Sequence, residues 1–180
     1  MRFLAGFVAA LVVSALTAFL VIISGAYNVG ATAPQTELER FILHSAMRYS
    51  VLARAGKELP EVWTEDEVKS GFGEYDEMCV VCHGAPGKEP SYIRQGLQPK
   101  PPNLAEAAKG WSASELFWII KNGVKMSGMP AFGPTHPDDK IWNIVGFLRR
   151  LPQTSAEQFK ALEARIGQPS QREHIAQPRG

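Results

Sequence analysis

Residues 77–87 read EMCVVCHGAPG, and this stretch holds both cysteines of the 180-residue chain and one of its four histidines. Two thiols and an imidazole within five positions form a ligand or reaction set. On a helix, the spacing from Cys79 to Cys82 turns both sulfurs to one side, and His83 is the next residue.

Three chemistries compete for such a set. A redox-active dithiol of the thioredoxin type wants a strand–helix–strand setting, and no alternating strand run of useful length occurs. A zinc site needs four ligands, and no second Cys or Cys/His pair completes one. The remaining reading is the C-x-x-C-H spacing of covalent c-type haem attachment. There, one helical turn lets both sulfurs add to the two vinyl groups of one haem c, and the next residue presents an imidazole to the iron.

The opposite face of that iron has five candidates in the sequence: Met126, Met129, His44, His136 and His174. A core methionine is the plain alternative for Met129, but a loop this rich in Gly and Pro, SGMPAFGPTHP, offers little core to fill.

Outward from the motif, the chain has room for one core of ordinary size. Its net charge of +1 gives no electrostatic case for nucleic acid. Residues 3–26, FLAGFVAALVVSALTAFLVIISGA, carry no charge. As a helix they would extend roughly 36 Å, enough to cross a hydrocarbon core of about 30 Å. We therefore read 1–29 as an N-terminal transmembrane anchor. Cleavage after Ser24-Gly25-Ala26 or Ala31-Thr32-Ala33 is the alternative, and Pro34 argues against the second site. Arg2 ahead of the span keeps the N-terminus in the cytoplasm and exports the chain beyond residue 30. The expected location is the inner membrane, single-pass, with the haem domain in the periplasm.

Residues 30–70 read as a stalk helix and linker. Thr36 and Glu39 form a capping box, Leu38, Phe41, Ile42, Tyr49 and Leu52 make an apolar stripe, and Gly56 is a stop. The stripe packs on the following domain or docks a partner subunit. Residues 57–70, with Pro60 and the acids Glu65, Asp66 and Glu67, read as linker. From Gly71 the pattern tightens: Gly71, Tyr75 and Cys79 recur every four residues and should share one helix face. A second helix is capped at Ser112 and stops at Gly123. A third starts near Pro137, capped by Thr135 or His136, and stops at Pro152. Residues 153–180 read as a short amphipathic helix over Ser155–Ile166 and a mobile polar tail. This is an all-α pattern with long irregular loops, which a large prosthetic group would explain.

Residues 71–152 resemble a class I, monohaem cytochrome c of membrane-anchored bacterial type. The resemblance is carried by GxxxYxxxCxxCHG, then PPNL, then NGVKMSGMPAFG, then DDKIWNIVGFLRRLP. It implies a few helices around one haem c bound through Cys79 and Cys82, with His83 and Met129 on the iron. It also implies that the carbonyl of Pro102 accepts from His83, with Pro101 as the alternative, and that Leu104 packs on the haem. Gly71 and Tyr75 should cross Ile144 and Phe147.

A haem with two strong ligands has no open position for substrate, so the reading is one-electron transfer rather than catalysis. The partners expected are a redox partner protein or the subunits of a periplasmic oxidoreductase or respiratory complex, together with the membrane. The second class is a haem-based gas or redox sensor with a displaceable methionine. Between Gly84 and Pro134 six basic residues face three acids, whereas residues 57–78 carry eight acids and two bases. If the first set rims the haem edge, an acidic partner surface would be steered there.

Overall fold

The computed structural model describes residues 2–56 and 62–166, and every regular element among them is helical. Pro60 of the expected linker, His174 and the expected mobile tail from 167 onward lie outside the described residues. The chain divides into two compact units, one ending at Pro34 and the other beginning at Gln35.

The first unit contains α1, Arg2–Ile23. It is long and apolar enough to cross a membrane by length and composition. Two of its hydroxyl side chains bond back along the helix, Ser14 to the carbonyl of Ala10 and Thr17 to that of Val13, each at 2.9 Å. Their O–H groups are thus satisfied internally, as an apolar solvent demands.

The second unit opens with α2, Glu37–Arg54, started by the Thr36–Glu39 capping box. It packs against a later helix, Ala113–Asn122; Val51 is buried, and the Arg48 guanidinium lies 5.0 Å above the ring of Trp111.

The acidic run at 65–67 is not linker. Thr64 caps a helix here, α3, Glu65–Glu74: its side chain accepts from the Glu67 N–H, and the Glu67 carboxylate accepts from the Thr64 N–H at 2.8 Å. The three acids then sit at the helix N-terminus, where the dipole favours them. A single π turn, Tyr75–Cys79, continues α3 and leads into α4, Val80–His83.

Beyond the long loop come α5 (Tyr92–Gly96), α6 (Leu104–Ala107), α7 (Ala113–Asn122), α8 (Asp138–Arg150) and α9 (Ala156–Ile166). No side chain caps α8. Pro137 occupies the N-cap position, while Thr135 and His136 bond to one another. Asp138 and Asp139 in the first turn serve its N-terminus instead.

The core forms where α3 crosses α8. Gly71 meets the backbone of Asn143 and Ile144, and Tyr75 packs on Phe147 with ring centroids 5.1 Å apart. Phe72 stands edge-on to Phe147 at 5.2 Å and to Phe159 at 5.0 Å. Phe159 comes from α9, so the segment expected to lie outside the domain closes its core. A buried aromatic of this size contributes on the order of 2 kcal/mol or more. Trp63, ahead of α3, donates its indole N–H to the Trp142 carbonyl at 2.9 Å and ties the start of the domain to α8.

Candidate haem site

The π turn decides how the cysteine segment is presented. In it the N–H of Val80 reaches the carbonyl of Tyr75, five residues back. A π turn takes more residues per turn than an α turn, so Tyr75 and Cys79, four apart, stay on nearly the same face, which Gly71 shares one α turn earlier. Tyr75 goes into the core, while Cys79 stays half-buried at its edge. Both cysteines are free thiols, half-buried, one turn apart. Burial first, then the neighbouring Cys82 and Glu74, push the Cys79 thiol up to about 12.

His83 ends α4, and its Nδ1 lies 2.9 Å from the carbonyl oxygen of Pro102. Only an N–H can satisfy that oxygen, so the proton belongs on Nδ1 and the lone pair on Nε2. Burial lowers the His83 pKa, against a raising contribution from the Pro102 bond, with Arg94 lowering it further. The imidazole is therefore neutral near pH 7, as a ligand must be.

Three residues outside the C-x-x-C-H motif hold this segment. The Arg94 guanidinium donates to the carbonyls of Cys82 and His83, both at 2.9 Å, filling acceptors that a helix end leaves open. The Ser91 hydroxyl donates to the Val81 carbonyl. The Tyr75 hydroxyl donates to the Gly84 carbonyl at 2.7 Å, and its pKa is raised by burial first, then by Cys79 and Asp76, against a lowering by Arg94. Arg94 was legible only as a positive charge in the loop. Its spacing of 11 and 12 residues from its acceptors carries no local signal.

The methionine loop is closed by its own backbone. Gly123 ends α7 at φ 65°, where an added Cβ would stand 2.6 Å from the Pro130 carbonyl carbon. Val124 donates to the Met129 carbonyl at 3.2 Å, and the Met129 N–H donates to the Ser127 hydroxyl oxygen at 3.2 Å. Val124–Ser127 is a turn with Met126 at its third position and φ 59°. The two methionines part here. Met126 is 87% exposed at the tip, whereas Met129 is half-buried against the core.

The other histidines are placed elsewhere. His44 is exposed on α2. His136 sits 3.7 Å from the buried carboxylate of Glu74, which Lys140 approaches at 3.0 Å. Pro102 itself is exposed, and Leu104 is half-buried against the core at the start of α6. Leu104, Trp111, Phe117, Met129, Phe132 and Trp142 all pack on the core yet keep exposed surface. These are partly exposed apolar surfaces of the kind a large planar group covers, and with the two cysteines and Nε2 the set fits a covalently held haem. No cluster of three or more His, Cys, Asp or Glu groups suited to a metal ion occurs among the described residues.

The basic loop set is mostly spent locally. Lys88 pairs with Asp76 and Glu163, Lys109 with Glu106, and Lys121 with Asp138, while Arg94 serves the carbonyls. Of the six, only Lys100 and Lys125 have neither an ion pair nor a side-chain hydrogen bond among the described residues, which weakens the case for a positive docking rim.

Residues 66–148 match the family model of cytochrome C oxidase, cbb3-type, subunit III. No curated protein matches the chain. Among solved structures, a chain of the reducing HAO-like protein complex of Kuenenia stuttgartiensis is similar at 24% identity and TM-score 0.46, over 52% of this chain and 47% of that one. This chain thus spans about half the length of that structure.

Proposed function

Residues 66–148 form a monohaem cytochrome c domain, and from that premise we propose that the chain is a membrane-anchored one-electron carrier with a His83/Met129-ligated haem. Its work would be that of the cytochrome subunit or redox partner of a periplasmic oxidoreductase or respiratory complex. The observation that carries the reading is the 2.9 Å contact between His83 Nδ1 and the Pro102 carbonyl, which fixes the ring and leaves Nε2 free as a donor atom.

Haem supplies the redox chemistry when bound, and the protein contributes attachment, ligand geometry, insulation and docking. Cys79 and Cys82 would hold the group covalently. Arg94, Ser91 and Tyr75 hold the backbone that bears them. Met129 rather than Met126 is the fitting far ligand, because the loop bonds turn Met129 inward and leave Met126 in water. A methionine sulfur opposite histidine favours the ferrous form and raises the potential. The uncharged length of α1, together with its internally bonded hydroxyls, supports an anchor, with the domain on the periplasmic side where haem attachment takes place.

The test is the far-red absorption of the ferric protein, where methionine–iron ligation gives a weak charge-transfer band. It is recorded for the parent, Met129→Ala and Met126→Ala. Loss of the band in Met129→Ala alone is the expected result. Absence from the parent, loss in Met126→Ala, or fast carbon monoxide binding to the native ferrous form would overturn the assignment.

A further inference from the structure

One face of α2 is used and the opposite face is not. Val51 is buried and Arg48 covers Trp111, yet Leu38, Ile42, Tyr49 and Leu52 are 66, 53, 70 and 45% exposed. With Ser45, which is half-buried, these side chains succeed one another at steps of four, three, four and three residues. At 100° per residue they fall within a stripe of about 80°, and Val51 lies about 140° from its centre. Alternating steps of four and three are the seam of a helix that packs against another helix. Phe41, 70% exposed, borders the seam.

We propose that α2 pairs antiparallel with α2 of a second copy of this chain, through Leu38, Ile42, Ser45, Tyr49 and Leu52. The pattern reads almost the same in both directions about Ser45, so the stripe is complementary to itself across a two-fold axis. Ser45, the smallest seam residue, then lies at the crossing point, where the helices come closest.

Charge selects the antiparallel sense. The first turn holds Glu37 and Glu39, with Arg40 paired to Glu37 at 2.6 Å, and the last turn holds Arg54. A parallel pair would set acid beside acid, whereas the antiparallel pair sets the acidic end against the basic end and opposes the helix dipoles. The exposed seam and Phe41 offer on the order of 500 Å² per copy, or about 1,000 Å² for the pair, close to the lower limit of a specific interface. Attachment of both copies to one membrane, where the proposed anchor holds, raises their effective concentration and makes an interface of that size sufficient.

The experiment uses the full-length haem-loaded protein in membrane vesicles, with single added cysteines oxidised by a copper catalyst. The parent serves as control for any reaction of Cys79 and Cys82. Ser45→Cys is expected to give a disulfide-linked product of twice the chain mass. Leu38→Cys alone is expected to stay monomeric, and a mixture of Leu38→Cys with Leu52→Cys to cross-link.

Tyr49→Arg placed in the Ser45→Cys chain should lower the linked fraction at least tenfold with the haem spectrum unchanged. A linked product of Leu38→Cys alone would mean a parallel pair and overturn the proposal. So would attachment of Ser45→Cys to a different polypeptide. If Ser45→Cys is never linked yet is shielded from a water-soluble maleimide at every protein-to-lipid ratio, lipid covers the stripe and the proposal fails. If the far-red band is absent while these cross-links form, the ligand assignment falls and the dimer stands.

Discussion

Gly71 meets Asn143 so closely that a β-carbon on Gly71 would stand 1.8 Å from the Asn143 carbonyl oxygen and 2.3 Å from its carbonyl carbon. The obstacle is backbone in the middle of α8, which cannot rotate aside. Gly71→Ala should therefore force α3 and α8 apart and cost about 3 kcal/mol, at the upper end of overpacking effects. Urea unfolding monitored by circular dichroism measures this. A midpoint equal to the parent's would mean that the crossing is looser than described.

Arg94 fills two carbonyls at the end of α4 that have no helical partner. Arg94→Met leaves them half-buried and unpaired, and should cost about 1–3 kcal/mol while loosening the turn that carries His83. The combined readout is urea stability and the fraction of protein that keeps its low-spin haem spectrum through the transition. Full retention of both would show that water replaces the guanidinium without loss.

Met126 holds φ 59° at the third position of a turn, a conformation that suits glycine. Relief of the left-handed backbone outweighs the extra unfolded-state freedom of glycine, so Met126→Gly should stabilise by roughly 0.5–1 kcal/mol. Its ferric far-red band should be unchanged. Destabilisation would show that the exposed side chain makes a contact worth more than the strain.

Lys88 links the π turn to α9: it pairs with Asp76 at 3.0 Å and with Glu163, and its ammonium lies 5.2 Å from the Phe159 ring centroid. Burial alone would lower its pKa, but the bonds to Glu163 and Asp76 outweigh that and raise it above the ordinary lysine value of 10.5. A raised folded-state pKa means stability that is fully present below about pH 10.5 and lost as pH climbs through the higher folded value. Lys88→Met should thus cost about 1 kcal/mol at pH 7, since the pair is half-exposed, and the cost should vanish at strongly alkaline pH. A cost that does not change with pH would assign the effect to packing on Phe159 instead.

Local chemistry was legible along the chain. The C-x-x-C-H segment, the capping boxes at Thr36 and Ser112, the Gly123 stop and the uncharged run of α1 each depend on neighbours within a few residues. The crossing of Gly71 and Tyr75 with Ile144 and Phe147 was also anticipated, because the resemblance to cytochromes c pairs the first and last helices of the domain. The acids at 65–67 were misread as linker, since a run of like charge looks the same in a solvated loop and in a first helical turn. Only the Thr64 cap distinguishes the two.

Amino-acid order alone settled the chemical inventory of the site: two thiols and an imidazole at one spacing, two methionines in one loop, one apolar span. Tertiary structure decided which groups that chemistry can use. The π turn at Tyr75–Cys79 set the angle of the cysteines, the bonds of Val124, Ser127 and Met129 turned one methionine inward, and Arg94 reached back over the end of α4. Phe159, from a segment expected to lie outside the domain, completed the core. Each of these depends on backbone groups or side chains brought together from distant or rotated positions. Main-chain donors and acceptors are the same at nearly every residue, so a sequence carries no local mark of which ones will meet.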